Sequence, residues 1–82
     1  MDEAIAAWSN IHREDNPQTY AEAQYNIGIN YAKYNNINEA IAAWSLVDRM
    51  DNPEAYAKAQ FNIGVVLYKN QGRLNEVAYF TF

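Results

Sequence analysis

The densest group of ionisable side chains in the chain is His12-Arg13-Glu14-Asp15, which holds the only histidine. A histidine beside carboxylates can do general acid–base chemistry if a pocket and a positioned partner accompany it. The sequence supplies neither. Displaced by 36 residues, the matching segment reads Asp48-Arg49-Met50-Asp51, so His12 is not reproduced in its own copy. Glu14 and Asp15 are adjacent, and neighbours in sequence point different ways on a helix, which suits solvation better than a shared proton. The cluster is therefore expected at a solvated helix end before a loop. Cysteine is absent, which removes thiolate catalysis, disulfides and cysteine metal sites together. No phosphate-cradling glycine loop, nucleophile elbow or metal-ligand spacing appears. The expectation is a non-enzyme with no catalytic residue, no cofactor and no metal.

The residues that could instead bind lie on elements defined by an internal copy. Glu39-Ala40-Ile41-Ala42-Ala43-Trp44-Ser45 reproduces Glu3-Ala4-Ile5-Ala6-Ala7-Trp8-Ser9. Asp15-Asn16-Pro17 returns as Asp51-Asn52-Pro53, and Ala23-Gln24-Tyr25-Asn26-Ile27-Gly28 as Ala59-Gln60-Phe61-Asn62-Ile63-Gly64. Self-similarity at such a period marks stacked repeat architectures. Asn16-Pro17 and Asn52-Pro53 pair an N-cap side chain with a proline at the first helical position, so a long helix, here termed A type, starts at each. Asn35-Asn36 and Gln71-Gly72 should end them, because Asn and Gly tolerate the left-handed backbone that closes a helix. Asp2 and Asn38, each followed by a first-turn glutamate, should cap shorter B-type helices. Ala4, Ile5, Trp8 and Ile11 and their copies Ala40, Ile41, Trp44 and Val47 form the buried stripe of those helices. The fold class expected is all-α, a helical repeat of antiparallel helix pairs in the order B-A-B-A-B. The expected spans are 2–14, 17–35, 38–50, 53–71 and a shortened 75–82, within a single domain.

Placed in register, Ile27-Gly28, Tyr31, Ala40 and Trp44 resemble the tetratricopeptide repeat, in which a Leu-Gly pair, a Tyr, an Ala and an aromatic pack two antiparallel helices. Ile63-Gly64 and Leu67 match the next copy, and Ala4 and Trp8 a preceding B helix. The period departs from the family's value of about 34. Gln24 and Gln60 stand where the family often has Trp, and Asn35 where it has a turn glycine. The Sel1-like repeat is the related alternative. The resemblance implies an α-solenoid that binds a protein or peptide in a concave groove lined by the A helices. Carried over residue by residue, the groove positions are Glu22, Tyr25, Asn26, Ile29 and Lys33, then Lys58, Phe61, Asn62, Val65 and Lys69. The family's carboxylate clamp would need Lys and Asn where Tyr25 and Ile29 stand. Gly28 and Gly64 cost their helices roughly 1 kcal/mol each against Ala, so both are expected at close helix contacts, with the tryptophans filling the space beyond.

Bulk properties set the remaining expectations. At 82 residues there is room for one modest core, so stability should be marginal or shared. A net charge of −4 with only six scattered basic residues argues against nucleic acid. No apolar run is long enough to span a membrane, and no signal peptide is evident, so the default compartment is the cytoplasm. The aromatic run Tyr79, Phe80 and Phe82 sits at the end of a stack that starts and stops on B helices, whereas repeat arrays normally end on polar caps. A homo-oligomer associating through these ends, or a fragment of a longer array, is therefore expected as an alternative to the groove.

Overall fold

The computed structural model of the chain describes residues 3–74 as backbone and residues 3–69 with their side chains. Four helices follow one another, with no strand among the described residues: α1 Glu3–Trp8, α2 Pro17–Lys33, α3 Ile37–Ser45 and α4 Pro53–Leu74. The expected fifth helix at 75–82, and with it Tyr79, Phe80 and Phe82, lies outside the described residues, as does the Asp2 cap.

The starts of α2 and α4 follow from their cap sequences. Asn16 Oδ1 accepts the Thr19 N–H at 3.0 Å, and Asn52 Oδ1 accepts the Ala55 N–H at 3.0 Å. Asn52 does more, because its amide also donates to the Gln18 carbonyl at 3.2 Å and the residue is 8% exposed. Asn16→Ala is expected to cost about 1 kcal/mol and Asn52→Ala about 2 kcal/mol, the difference being the second, buried bond. Urea unfolding of the two variants checks this, and equal costs would remove the bridging role of Asn52.

The B-type helices are shorter than expected, ending at Trp8 and Ser45 rather than near residues 14 and 50. A serine stands at both stops. Ser9 Oγ donates to the Ile5 carbonyl, which also accepts the Ser9 N–H, and Ser45 Oγ donates to the Ile41 carbonyl, each hydroxyl bond being 2.7 Å. The following N–H groups tighten to partners three residues back, Asn10 to Ala7 and Ile11 to Trp8, then Leu46 to Ala43 and Val47 to Trp44. His12-Arg13-Glu14-Asp15 consequently sits in the loop before α2, not on a helix end.

Helix α2 closes two residues early at Lys33 in a Schellman arrangement. Asn36 N–H reaches the Tyr31 carbonyl at 2.9 Å, Asn35 N–H the Ala32 carbonyl at 2.9 Å, and Asn35 has φ 65°. Asn36, rather than Asn38, then takes the N-cap position of α3, without a side-chain bond. The copy of Asn35 is Gln71, which is less tolerant of that backbone, and α4 runs on through Gly72 to Leu74.

Two apolar clusters hold the helices. Ala21, Ala40, Trp44, Val47, Ala55 and Ala59 join α2, α3 and α4, while Ile5, Ile27 and Ala43, with Trp8 and Tyr31 against them, join α1 to the α2–α3 pair. Trp44 is 1% exposed, and its indole N–H donates to the Tyr25 carbonyl at 3.0 Å. The indole lies directly over Gly28 instead of beyond it: a Cβ built there would fall 2.6 Å from Trp44 Cε2 and closer still to Nε1 and Cδ1. Gly64 differs. Among the described residues nothing stands within 4 Å of a Cβ at that position, so the close packing expected of both glycines holds for Gly28 alone.

Candidate interaction surface

Helices α2 and α4 meet at a cleft of about 180 Å³ lined by Glu22, Tyr25, Asn26, Asn52, Glu54, Ala55 and Lys58. The repeat spacing explains why these residues converge. Glu22, Tyr25 and Asn26 occupy one side of α2 at three- and four-residue intervals, and the same face of α4 presents Glu54, Ala55 and Lys58 one turn apart. Tyr25 is half-buried because its ring also packs on the α2–α3–α4 cluster. Lys58 Nζ lies 5.8 Å from the centre of that ring, a cation–π distance. The cleft thus offers an aromatic wall, a half-buried amide at Asn26, one ammonium and two carboxylates.

Four of the ten groove residues expected from the sequence, Glu22, Tyr25, Asn26 and Lys58, line this cleft, and six do not. Phe61 is 71% exposed and Ile29 40%; Lys33 is exposed with its Nζ 6.0 Å from the Tyr34 ring; Lys69 is exposed, and Asn62 and Val65 are half-buried. Asn52, Glu54 and Ala55 were not anticipated. Their signal was present in the Asn-Pro start of α4, since a helix N-terminus that packs against the previous A helix brings its first turn to the shared edge. Asn30, copied as Val66, has a buried side-chain oxygen with no hydrogen-bond partner among the described residues.

The loop cluster ties two loops together through Arg13. Arg13 Nε donates to Asp51 Oδ2 at 2.6 Å, and its Nη2 to Asp48 Oδ2 at 3.3 Å, joining the loop before α2 to the loop before α4. The hydrogen bond from Arg13 to Asp51, and then the charge of Asp51, raise the Arg13 pKa. A raised basic pKa means that the guanidinium keeps its charge at ordinary pH, and whatever that charge contributes to stability is lost on the alkaline side only in strong alkali. Among the described residues no three acidic, cysteine or histidine side chains gather as metal ligands, and no helix is long and apolar enough to cross a membrane.

No protein-family model, no curated protein and no solved structure matches this chain.

Proposed function

We propose that the chain is a non-catalytic protein-interaction module, a helical repeat of the tetratricopeptide type whose A helices, α2 and α4, hold an extended peptide between them. The observation that supports this reading is the cleft itself, where Tyr25, Asn26 and Lys58 come together from two helices. Each offers something that a peptide uses. Tyr25 gives an amphipathic aromatic wall, Asn26 a donor and an acceptor for peptide backbone, and Lys58 an ammonium for an acidic side chain. Glu22 and Glu54 at the margin would repel a second acidic residue and accept from a basic or amide side chain.

Selection from a displayed peptide library, followed by titration of the enriched sequences, tests the proposal. Lys58→Glu and Asn26→Ala are each expected to weaken binding by about tenfold or more, because they remove a charge or an amide from the centre of a small site. Lys58 is exposed and Asn26 half-buried, so neither should lower the melting temperature greatly. Enriched peptides that bind both variants as well as they bind the parent would place the interaction elsewhere.

A further inference from the structure

A different surface, not used by the cleft, lies along α4. Ala57, Gln60, Phe61, Gly64 and Leu67 are all exposed, yet their copies on α2, Ala21, Gln24, Tyr25, Gly28 and Tyr31, are all buried or half-buried. The covering element on α2 is α3, with Trp44 seated on Gly28 and bonded to the Tyr25 carbonyl. The seven residues Glu39–Ser45 that do this recur at Glu3–Ser9. On α1, however, Ala7 is exposed where Ala43 is buried, and Trp8 is half-buried where Trp44 is buried. The chain therefore carries a second copy of the docking helix at α1 and a second copy of the docking face at α4, each without its complement among the described residues.

The charged loops repeat the pattern. Within the chain, Arg13 of the first repeat pairs with Asp51 of the second. The residue copying Arg13 is Arg49, and the residue that Asp51 copies is Asp15. Both are exposed and make no ion pair among the described residues, and their charges are opposite. Likewise Asn52, which reaches back to the Gln18 carbonyl, is buried, while its copy Asn16 is exposed. Among the described residues, the helix face, the ion pair and the amide bridge are thus each less complete on the same two surfaces, in the same register.

From this register we infer that a second copy of the chain docks α1 and its 9–16 loop onto α4 and the 46–52 loop. The arrangement continues the one by which α3 and the 46–52 loop sit on α2 and the 9–16 loop. Trp8 of one copy covers Gly64 of the other, and Asp15 meets Arg49. The two surfaces differ, so the contact is heterologous: each added copy leaves one free docking helix and one free face, and the product is an open array. The same step sets Phe61, Asn62 and Lys58 of one copy opposite Asn16, Gln18 and Glu22 of the next, forming a second cleft like that between α2 and α4. The inference does not depend on the peptide-binding reading.

Sedimentation velocity on the 82-residue chain over a wide concentration range tests it. The average mass is expected to rise beyond that of two chains of 9.4 kDa each. Ala7→Lys, at an exposed position one turn after Glu3, removes the docking helix surface, and Gly64→Leu fills the docking face. Each is expected to weaken self-association by about tenfold or more. Mixed together, they should form a heterodimer that grows no further, since one supplies the only working helix and the other the only working face. Arg49→Asp and Asp15→Arg should each weaken association about two- to fivefold, and the double variant should restore it. A parent chain that stays monomeric, or one that associates while the mixed variants do not pair, would overturn the proposal. A dilute Gly64→Leu monomer that melts lower than the parent would overturn it too, because the chain's own residues 75–82 would then occupy that face.

Discussion

Trp44→Ala is expected to leave the chain largely unfolded at moderate temperature. A large buried aromatic exchanged for alanine costs about 3–5 kcal/mol through lost burial and the cavity left behind. A domain of this length has about 4–12 kcal/mol of stability in total. Trp44 is the largest fully buried side chain among the described residues, and it touches the contacts that join α2 to both α3 and α4. Its removal also withdraws the donor from the Tyr25 carbonyl, leaving that oxygen only its helical bond. Thermal unfolding followed by circular dichroism should show the midpoint lowered by more than about 12 °C, taking about 4–8 °C per kcal/mol for a domain of this size. A loss of only a few degrees would mean that the α2–α3 interface is not the main source of stability.

The second large effect is a contrast of sign. Gly28→Ala and Gly64→Ala are the same substitution at copied positions of two helices, and each gains about 1 kcal/mol of intrinsic helix propensity. At Gly28 the new methyl group would clash with the face of the Trp44 indole, and an indole 1% exposed among alanines and Val47 has no room to move. Overpacking of this kind costs about 1–3 kcal/mol or more and should outweigh the propensity gain. At Gly64 the methyl meets nothing among the described residues, so the gain of about 0.5–1 kcal/mol should stand. Chemical denaturation at low protein concentration should find Gly28→Ala destabilised and Gly64→Ala stabilised. Two shifts of the same direction would refute the difference drawn between the two glycines.

That contrast also shows where the sequence could and could not be read. The letters around Gly28 and Gly64 are nearly identical, so any rule based on the local segment treats them alike. What separates them is the element that follows, and α3 covers one while no described residue covers the other. The starts of α2 and α4 were legible because an Asn-Pro pair fixes both a side-chain acceptor and a backbone angle locally. The ends of α1 and α3 were not, because no cap residue marks the place where the N–H groups after Ser9 and Ser45 shift to partners three residues back. In the cleft, helical spacing from the A-helix positions found Glu22, Tyr25, Asn26 and Lys58. It missed Asn52, Glu54 and Ala55, whose place depends on how closely α4 begins beside α2.

The two tryptophans give the molecule an optical reporter of its own. Trp44, enclosed and hydrogen-bonded to a main-chain carbonyl, should emit at shorter wavelength than an indole in water, and its emission should move to the red when α3 parts from α2. Trp8 is only half-covered, so its emission is sensitive to anything that comes to rest on α1. Fluorescence of the unlabelled chain can therefore follow the loss of the core and the arrival of a neighbour as two opposite spectral movements.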